Sequence, residues 1–194
     1  MGRAREFEDN EALEKAMLLF WEKGYDNTSL KDLLSEMNIL NGSFYNRFGN
    51  KKNLLLKTLE YYREEVTAKR GKALEESPLF RDGIRALFDE IFQCLECQTM
   101  PRGCMLANSL SNEVMADPEV KAVILEEVKK FEVFFEYHIH KAIESQELDL
   151  SIDSKLMARV LVVYIQGCMK LSTVDFEITR FKAQTEYFLS SIGL

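Results

Sequence analysis

Apolar residues recur along this chain three and four positions apart, the spacing of amphipathic helices. In residues 11–23, Leu13, Ala16, Met17 and Phe20 fall on one stripe. Gly24 follows at once, a residue that ends helices by adopting a left-handed conformation. Asn27, Thr28 and Ser29 offer N-caps for a short helix with Leu30, Leu33, Leu34 and Met37 on its inward face. Asn38 tolerates the left-handed region and closes that helix. A third, very short helix is expected over 42–48, with Phe44 and Phe48 inward, and Asn50 caps a fourth that begins at 51. The turn between the second and third is about four residues, as a helix-turn-helix requires.

Past Ser77-Pro78 the pattern lengthens. Residues 79–98 place Ile84, Leu87, Phe88, Ile91, Phe92 and Leu95 on one face. Pro101-Arg102-Gly103 breaks that helix, and a short one is expected over 104–115. Asp117-Pro118-Glu119 is a strong helix start: a capping carboxylate, a proline at the first helical position and an acid in the first turn. That helix can reach residue 145. Stretches 153–171 and 175–192 are two final amphipathic helices. The fold class predicted is all-α, with about nine helices; no alternating run bounded by turn residues reads as a strand.

Composition sharpens this reading. Among 194 residues, 9 glycines and 3 prolines are few, which favours helices over a turn-rich β fold. No apolar run is long enough to span a membrane and no basic-then-apolar leader is present, so a cytoplasmic protein with no membrane partner is expected. Four cysteines are then most simply reduced thiols. No P-loop, nucleophile elbow or zincin motif occurs, and the two histidines, His138 and His140, sit close together on one predicted helix. Neither an enzyme nor a cofactor is expected.

The net charge of −7 does not announce a nucleic-acid partner, but its distribution is uneven. Residues 41–59 hold Arg47, Lys51, Lys52 and Lys57 with no carboxylate. Charges farther apart than about 8 Å are screened at physiological salt, so a local basic patch on an acidic body can bind phosphate. The patch begins with Gly42 and Ser43, small residues that let a helix N-terminus approach DNA closely. Asn41, Ser43, Tyr45 and Asn46 supply amides and hydroxyls for base edges or phosphates.

These residues resemble the TetR family of transcriptional repressors. The family pattern is met by Phe20, Gly24, Tyr25, Thr28 and Ser29, then Gly42, Ser43, Phe44, Tyr45, Phe48, Lys51 and Leu54, without a gap. The resemblance implies a helix-turn-helix DNA-binding domain over 1–50 and a helical ligand-binding and dimerisation domain over 51–194. It implies that Tyr45 and Lys51 clamp phosphates, Thr28 contacts backbone, and Asn41, Ser43 and Asn46 face bases of a palindromic double-stranded operator. Three positions depart from the pattern: Asn38 replaces a turn glycine, Leu40 a capping serine, and Arg47 a histidine. Arg47 adds charge and with it a further candidate phosphate contact.

The resemblance also implies a homodimer through residues 153–192, with stripes Leu156, Val160, Val163, Ile165 and Met169, then Phe176, Phe181, Phe188 and Ile192. Residues 102–109, Arg-Gly-Cys-Met-Leu-Ala-Asn-Ser, look like a segment of one TetR subgroup in which some members sense electrophiles or oxidants through cysteine. Cys104 would lie in a helix's first turn near Arg102, and both features favour thiolate; the alternative is an inert buried thiol. Candidate ligand residues are Cys104, Asn108, Phe92, Phe131, Phe135 and Tyr164, with an unidentified small molecule or electrophile as effector. Cys94 and Cys97 form C-x-x-C, but zinc needs two more suitably placed ligands, and no metal is expected. A helical adaptor for protein partners is the competing function. It accounts for the acidic helices and not for the carboxylate-free patch.

Overall fold

The computed structural model describes residues 2–98 and 100–194, with only the backbone of residues 2–8. Its regular elements are all helical: α1 (Gly2–Lys23), α2 (Leu30–Met37), α3 (Asn41–Phe48), α4 (Lys51–Tyr62), α5 (Ala68–Glu75), α6 (Phe80–Cys97), α7 (Met105–Asn108), α8 (Asn112–Ala116), α9 (Pro118–Glu144), α10 (Ser154–Leu171) and α11 (Ile178–Ser191). A π turn, Arg63–Thr67, joins α4 to α5 without a break in the helical chain. Among the described residues no helix is long and apolar enough to cross a membrane.

The expected helix over 104–115 is two helices, and the fourth expected helix is divided by the π turn into α4 and α5, which together account for eleven helices among the described residues against about nine expected. Serines break the 104–115 helix. Ser109 Oγ donates to the Met105 carbonyl (2.8 Å), while Ser111 Oγ caps α8 by accepting from Val114 N–H (3.3 Å). Short hydroxyl side chains compete in this way with the helical backbone. The last helix starts at Ile178 instead of 175, because the Glu177 carboxylate accepts the N–H groups of Thr179 and Arg180 at 2.8 and 2.7 Å.

The chain forms two compact units. One comprises Met1–Thr67 with Cys104–Ile124, the other Ala68–Gly103 with Leu125–Leu194. The first is built on α1, which buries Met17, Phe20 and Trp21. Trp21 meets Tyr62 of α4 edge to face at 5.0 Å, and Phe20 stacks on Tyr25 at 5.8 Å. Gly24, at φ 77°, ends α1 and returns its N–H to the Phe20 carbonyl (2.9 Å).

In the second unit four helices pack in a closed cycle. A Cβ on Gly83 of α6 would come within 2.7 Å of Leu74 Cδ1 of α5, and one on Gly71 of α5 within 3.3 Å of the Phe134 ring of α9. Glu132 of α9 pairs with Arg159 of α10 (3.4 Å), and Tyr164 of α10 meets Phe88 of α6 (5.8 Å). Helix α11 stacks Phe188 flat on Tyr164 at 3.7 Å and buries Phe181 against Phe92 and Phe176. Met169 and Phe181 are therefore core residues, not part of an outward stripe. What α10 leaves exposed is Leu156, Val163 and Leu171, in register with half-buried Val160 and open Gly167.

Gly83 tests this packing. An added methyl group meets Ser77 Cβ at 2.9 Å and the Leu74 carbonyl at 3.1 Å, neither of which is a flexible end. Overpacking costs about 1–3 kcal/mol and alanine returns about 1 kcal/mol of helix propensity. Gly83→Ala is expected to lower stability by up to about 2 kcal/mol, read as a lower denaturant midpoint at unchanged slope. A raised midpoint contradicts this packing.

Candidate nucleic-acid interface

Local capping sets α2 and α3. Ser29 Oγ accepts from Asp32 N–H (3.1 Å) and the Asp32 carboxylate accepts from Ser29 N–H (3.0 Å), a capping box. Hydrogen bonding to Ser29 holds the Asp32 carboxyl below the usual carboxylate range. Asn38, at φ 54° and ψ 45°, takes the left-handed conformation that ends α2.

Helix α3 is anchored by Phe44 and Phe48, both buried, with ring centroids 5.9 Å apart. Its N-cap is Leu40, whose side chain makes no capping bond and is 80% exposed. The first amide groups of α3 thus receive no side-chain cap. Asn41, Tyr45 and Asn46 are exposed and Ser43 is half-buried. A Cβ on Gly42 would meet nothing within 4 Å, and its backbone is not left-handed, so internal packing does not call for glycine there.

The cations of the patch differ in what they already bind. Lys51 Nζ lies 4.1 Å from the centroid of the Tyr25 ring. Lys52 Nζ pairs with Glu119 (2.7 Å) and Asp117 (3.3 Å), and these partners raise its pKa. Arg47 pairs with Asp9 of α1 at 2.9 Å, and its side chain is mostly buried. The guanidinium expected at phosphate is thus engaged inside the protein. Thr28 also departs from expectation. It is fully buried, and its hydroxyl donates to the Gly24 carbonyl (2.7 Å), so it locks the turn after α1 and offers no surface.

Structure divides the candidate sensing residues between the units. Cys104 and Asn108 belong to the first; Phe92, Phe131, Phe135 and Tyr164 to the second. Cys104 is not inside a long helix. It is the N-cap of the four-residue α7, is buried, and receives the Tyr62 hydroxyl at 3.7 Å. Asn108 Nδ2 donates to the Trp21 carbonyl (3.3 Å), a tie within the first unit. In the second unit Phe88 links Phe92 (5.9 Å) to Tyr164 (5.8 Å), whose hydroxyl lies 3.3 Å from Thr185 Oγ1. Phe135 is buried and Phe131 half-buried, one turn apart on α9. Arg102 lies over the Phe176 ring at 5.4 Å. All four cysteines are free thiols. Among the described residues no three His, Cys, Asp or Glu side chains cluster as a metal site would.

Residues 12–58 match the model of bacterial regulatory proteins of the tetR family, and residues 81–186 match that of the tetracyclin repressor-like C-terminal domain. The chain belongs to the TetR family. Its members are DNA-binding transcriptional regulators. The chain is 32% identical to the uncharacterized HTH-type transcriptional regulator YezE of Bacillus subtilis (strain 168), over 98% of both chains. It is 33% identical to the HTH-type transcriptional repressor ComR of Escherichia coli (strain K12), over 56% of this chain and 52% of that one. Among solved structures, the TetR family regulator CifR, as a cysteine mutant complexed with 26-bp double-strand operator DNA, superposes with a TM-score of 0.85. That match has 26% identity and covers 93% of this chain and 95% of CifR.

Sequence reading marked Leu40 as a departure from the TetR-family pattern but passed over other features. Leu40 was visible as an apolar residue at a capping position. Lys52 and its acidic partners, 65 and more positions on, had no local signal. Among the described residues, buried polar atoms without a hydrogen-bond partner include Trp21 Nε1, Arg70 Nε and Gln166 Oε1.

Proposed function

We propose that the protein is a homodimeric repressor that binds a palindromic operator through α2 and α3. It leaves that operator when a small molecule binds or Cys104 is modified. Residues 1–50 act as the DNA-binding domain and residues 51–194 as the regulatory and dimerisation domain. The observation that carries the operator reading is Gly42. Its missing side chain relieves no clash within the chain, so its use lies outside, where a helix N-terminus must come close to a partner. Around it Asn41, Ser43 and Asn46 face base edges, Tyr45 and Lys51 hold phosphates, and exposed Leu40 makes apolar contact with a thymine methyl group. CifR in complex with its operator supports the same use of this head.

A short recognition helix reads few base pairs, which favours a two-fold dimer on a two-fold site. The stripe of exposed Leu156, Val163, Gly167 and Leu171 with half-buried Val160 is the interface assigned here, together with exposed Tyr187 of α11. Covering it in a stable dimer would remove about 2,000 Å² or more from water.

For the sensing reading, residues 102–109 carry the subgroup resemblance, and Cys104 has a hydroxyl donor at 3.7 Å suited to stabilising a thiolate or an oxidised sulfur. Trp21, edge-on to the same tyrosine, has a buried N–H without an acceptor. Interiors are close-packed, so an adduct at this sulfur cannot be absorbed in place. Residues that brace α1 and α4 must move.

Three experiments test these assignments. Lys51→Ala is expected to weaken operator binding across all sequences and to lower the salt slope by about 1. Asn46→Ala should relax base preference at particular positions, measured by competition among duplexes. An operator affinity unchanged by Tyr45→Ala with Lys51→Ala would remove the interface from α3. For assembly, Val163→Glu should give monomers by light scattering and abolish operator binding. Phe188 is unsuitable for this test, because its ring stacks inside the protomer. A wild type that is monomeric at micromolar concentration counts against the dimer. For sensing, an alkylating agent or peroxide is titrated against operator complexes of wild type and Cys104→Ser, with peptide mass spectrometry locating the adduct. Release confined to the wild type, with the adduct at Cys104, is the expected result. Equal release from Cys104→Ser would make Cys104 a packing residue.

A further inference from the structure

Asn41 stands directly before Gly42, and no other asparagine in the chain precedes a glycine. Both residues are exposed, at the first two positions of α3. A Cβ on Gly42 would meet nothing within 4 Å, so open space lies beside the peptide that joins the pair. The Gly42 N–H belongs to the first turn, where amide groups have no acceptor within the helix. In such a pair the side-chain amide carbon is an electrophile and the next backbone nitrogen a nucleophile. Glycine leaves that nitrogen open to close approach.

Helical dihedrals hold the two atoms apart, so Asn41 must leave the helix before a bond can form. The start of α3 permits this. Its N-cap, Leu40, makes no side-chain capping bond. Shortening α3 by one residue breaks the bond from Phe44 N–H to the Leu40 carbonyl (3.0 Å). It also replaces leucine at the N-cap by asparagine, a far better capping residue. Loss and gain are of similar size, so the shortened start is readily reached. Other asparagines are placed differently. Asn46 is also exposed on α3 but precedes Arg47. Asn50 accepts from Asn53 N–H (2.8 Å), and Asn108 donates to the Trp21 carbonyl (3.3 Å).

We propose that Asn41–Gly42 is a self-modification site, where deamidation of Asn41 creates a carboxylate and α3 thereby loses its hold on DNA. The Gly42 nitrogen gives up its proton to solvent and bonds to Asn41 Cγ. The Cγ–Nδ2 bond breaks, and Nδ2 takes a proton from water and leaves as ammonia. The succinimide ring that remains is opened by water. Breaking its bond from nitrogen to Cγ gives aspartate; breaking its bond to the main-chain carbonyl gives isoaspartate. In sum one water enters and one ammonia departs, with no oxidant or metal. Either product puts a negative charge at a residue assigned to base edges, close to phosphates. An acid suits a helix N-terminus, so aspartate there does not weaken α3 itself. Operator lying over this turn shields the pair, so the change falls on protein that is off DNA. The effect on binding rests on the operator reading of α3; the covalent chemistry does not.

The test incubates full-length wild type at neutral and mildly alkaline pH. Peptide mass spectrometry reads the change from amide to acid at each asparagine, and an isoaspartyl methyltransferase assay detects the isomerised backbone. Asn41 is expected to convert faster than any other asparagine and faster at higher pH, because the attacking nitrogen must lose its proton. Gly42→Ala should slow the conversion. Operator affinity of aged wild type should fall in step with the fraction converted. Asn41→Asp should bind operator about 10-fold more weakly than Asn41→Ala at low salt, the two converging at high salt. It should melt no lower than Asn41→Ala. The proposal is overturned if Asn41 converts no faster than Asn46, or if Gly42→Ala converts as fast as wild type. It is overturned too if converted wild type binds operator as tightly as fresh protein, or if Asn41→Asp matches Asn41→Ala at low salt. Fresh wild type that binds no selected duplex overturns the operator reading and with it the effect on DNA, while the masses still decide the chemistry.

Discussion

Trp21 and Tyr62 meet edge to face at 5.0 Å, and each also holds one contact to the segment that begins at Cys104. The Trp21 carbonyl accepts from Asn108, and the Tyr62 hydroxyl reaches the Cys104 sulfur. Farther along, Ser111 donates to Asp26 (2.6 Å), and Asp117 and Glu119 hold Lys52 at the start of α4. These polar contacts are worth about 1 kcal/mol each, whereas burying a large apolar side chain is worth about 1.5–3 kcal/mol. The aromatic wall of α1 and α4 therefore decides the fold of the first unit, and the polar ties set the position of residues 104–124 on it. Because α2 packs on the same α1 and α3 is tied to it through the Arg47–Asp9 ion pair, a disturbance at Cys104 and the posture of α3 share one support.

Charge is rationed in the same unit. Of the cations between residues 41 and 59, Arg47 and Lys52 are balanced by carboxylates from elsewhere in the unit. Lys51 rests on the Tyr25 ring, an exposed cation–π contact of about 0.5–1 kcal/mol that a phosphate can displace. With a net charge of −7, the protein gains little from non-specific attraction to DNA. Few phosphate contacts imply a shallow salt dependence and a large share of affinity from amide, hydroxyl and shape contacts. Arg47 shows why counting cations in a stretch of sequence overstates its field: the neutralising acid, Asp9, lies 38 positions away.

Elements with local punctuation were legible from sequence. Ser29, Asn38, Asn50, Asp117 and Asp153 each cap or end a helix where their chemistry says they should, and every apolar residue assigned inward on α6 is buried. The 104–115 region was misread because Ser109 and Ser111 satisfy their backbone within single turns, which apolar periodicity does not register. Cys104 and Asn108 were named with Phe92 and Tyr164 as candidate ligand residues, and the two pairs fall in different compact units. Nothing in the periodicity of either segment encodes which unit it joins. Arg70 was invisible for another reason. It sits in Lys69-Arg70-Gly71-Lys72, which reads as a solvated face, and only the tertiary packing turns one of those cations inward.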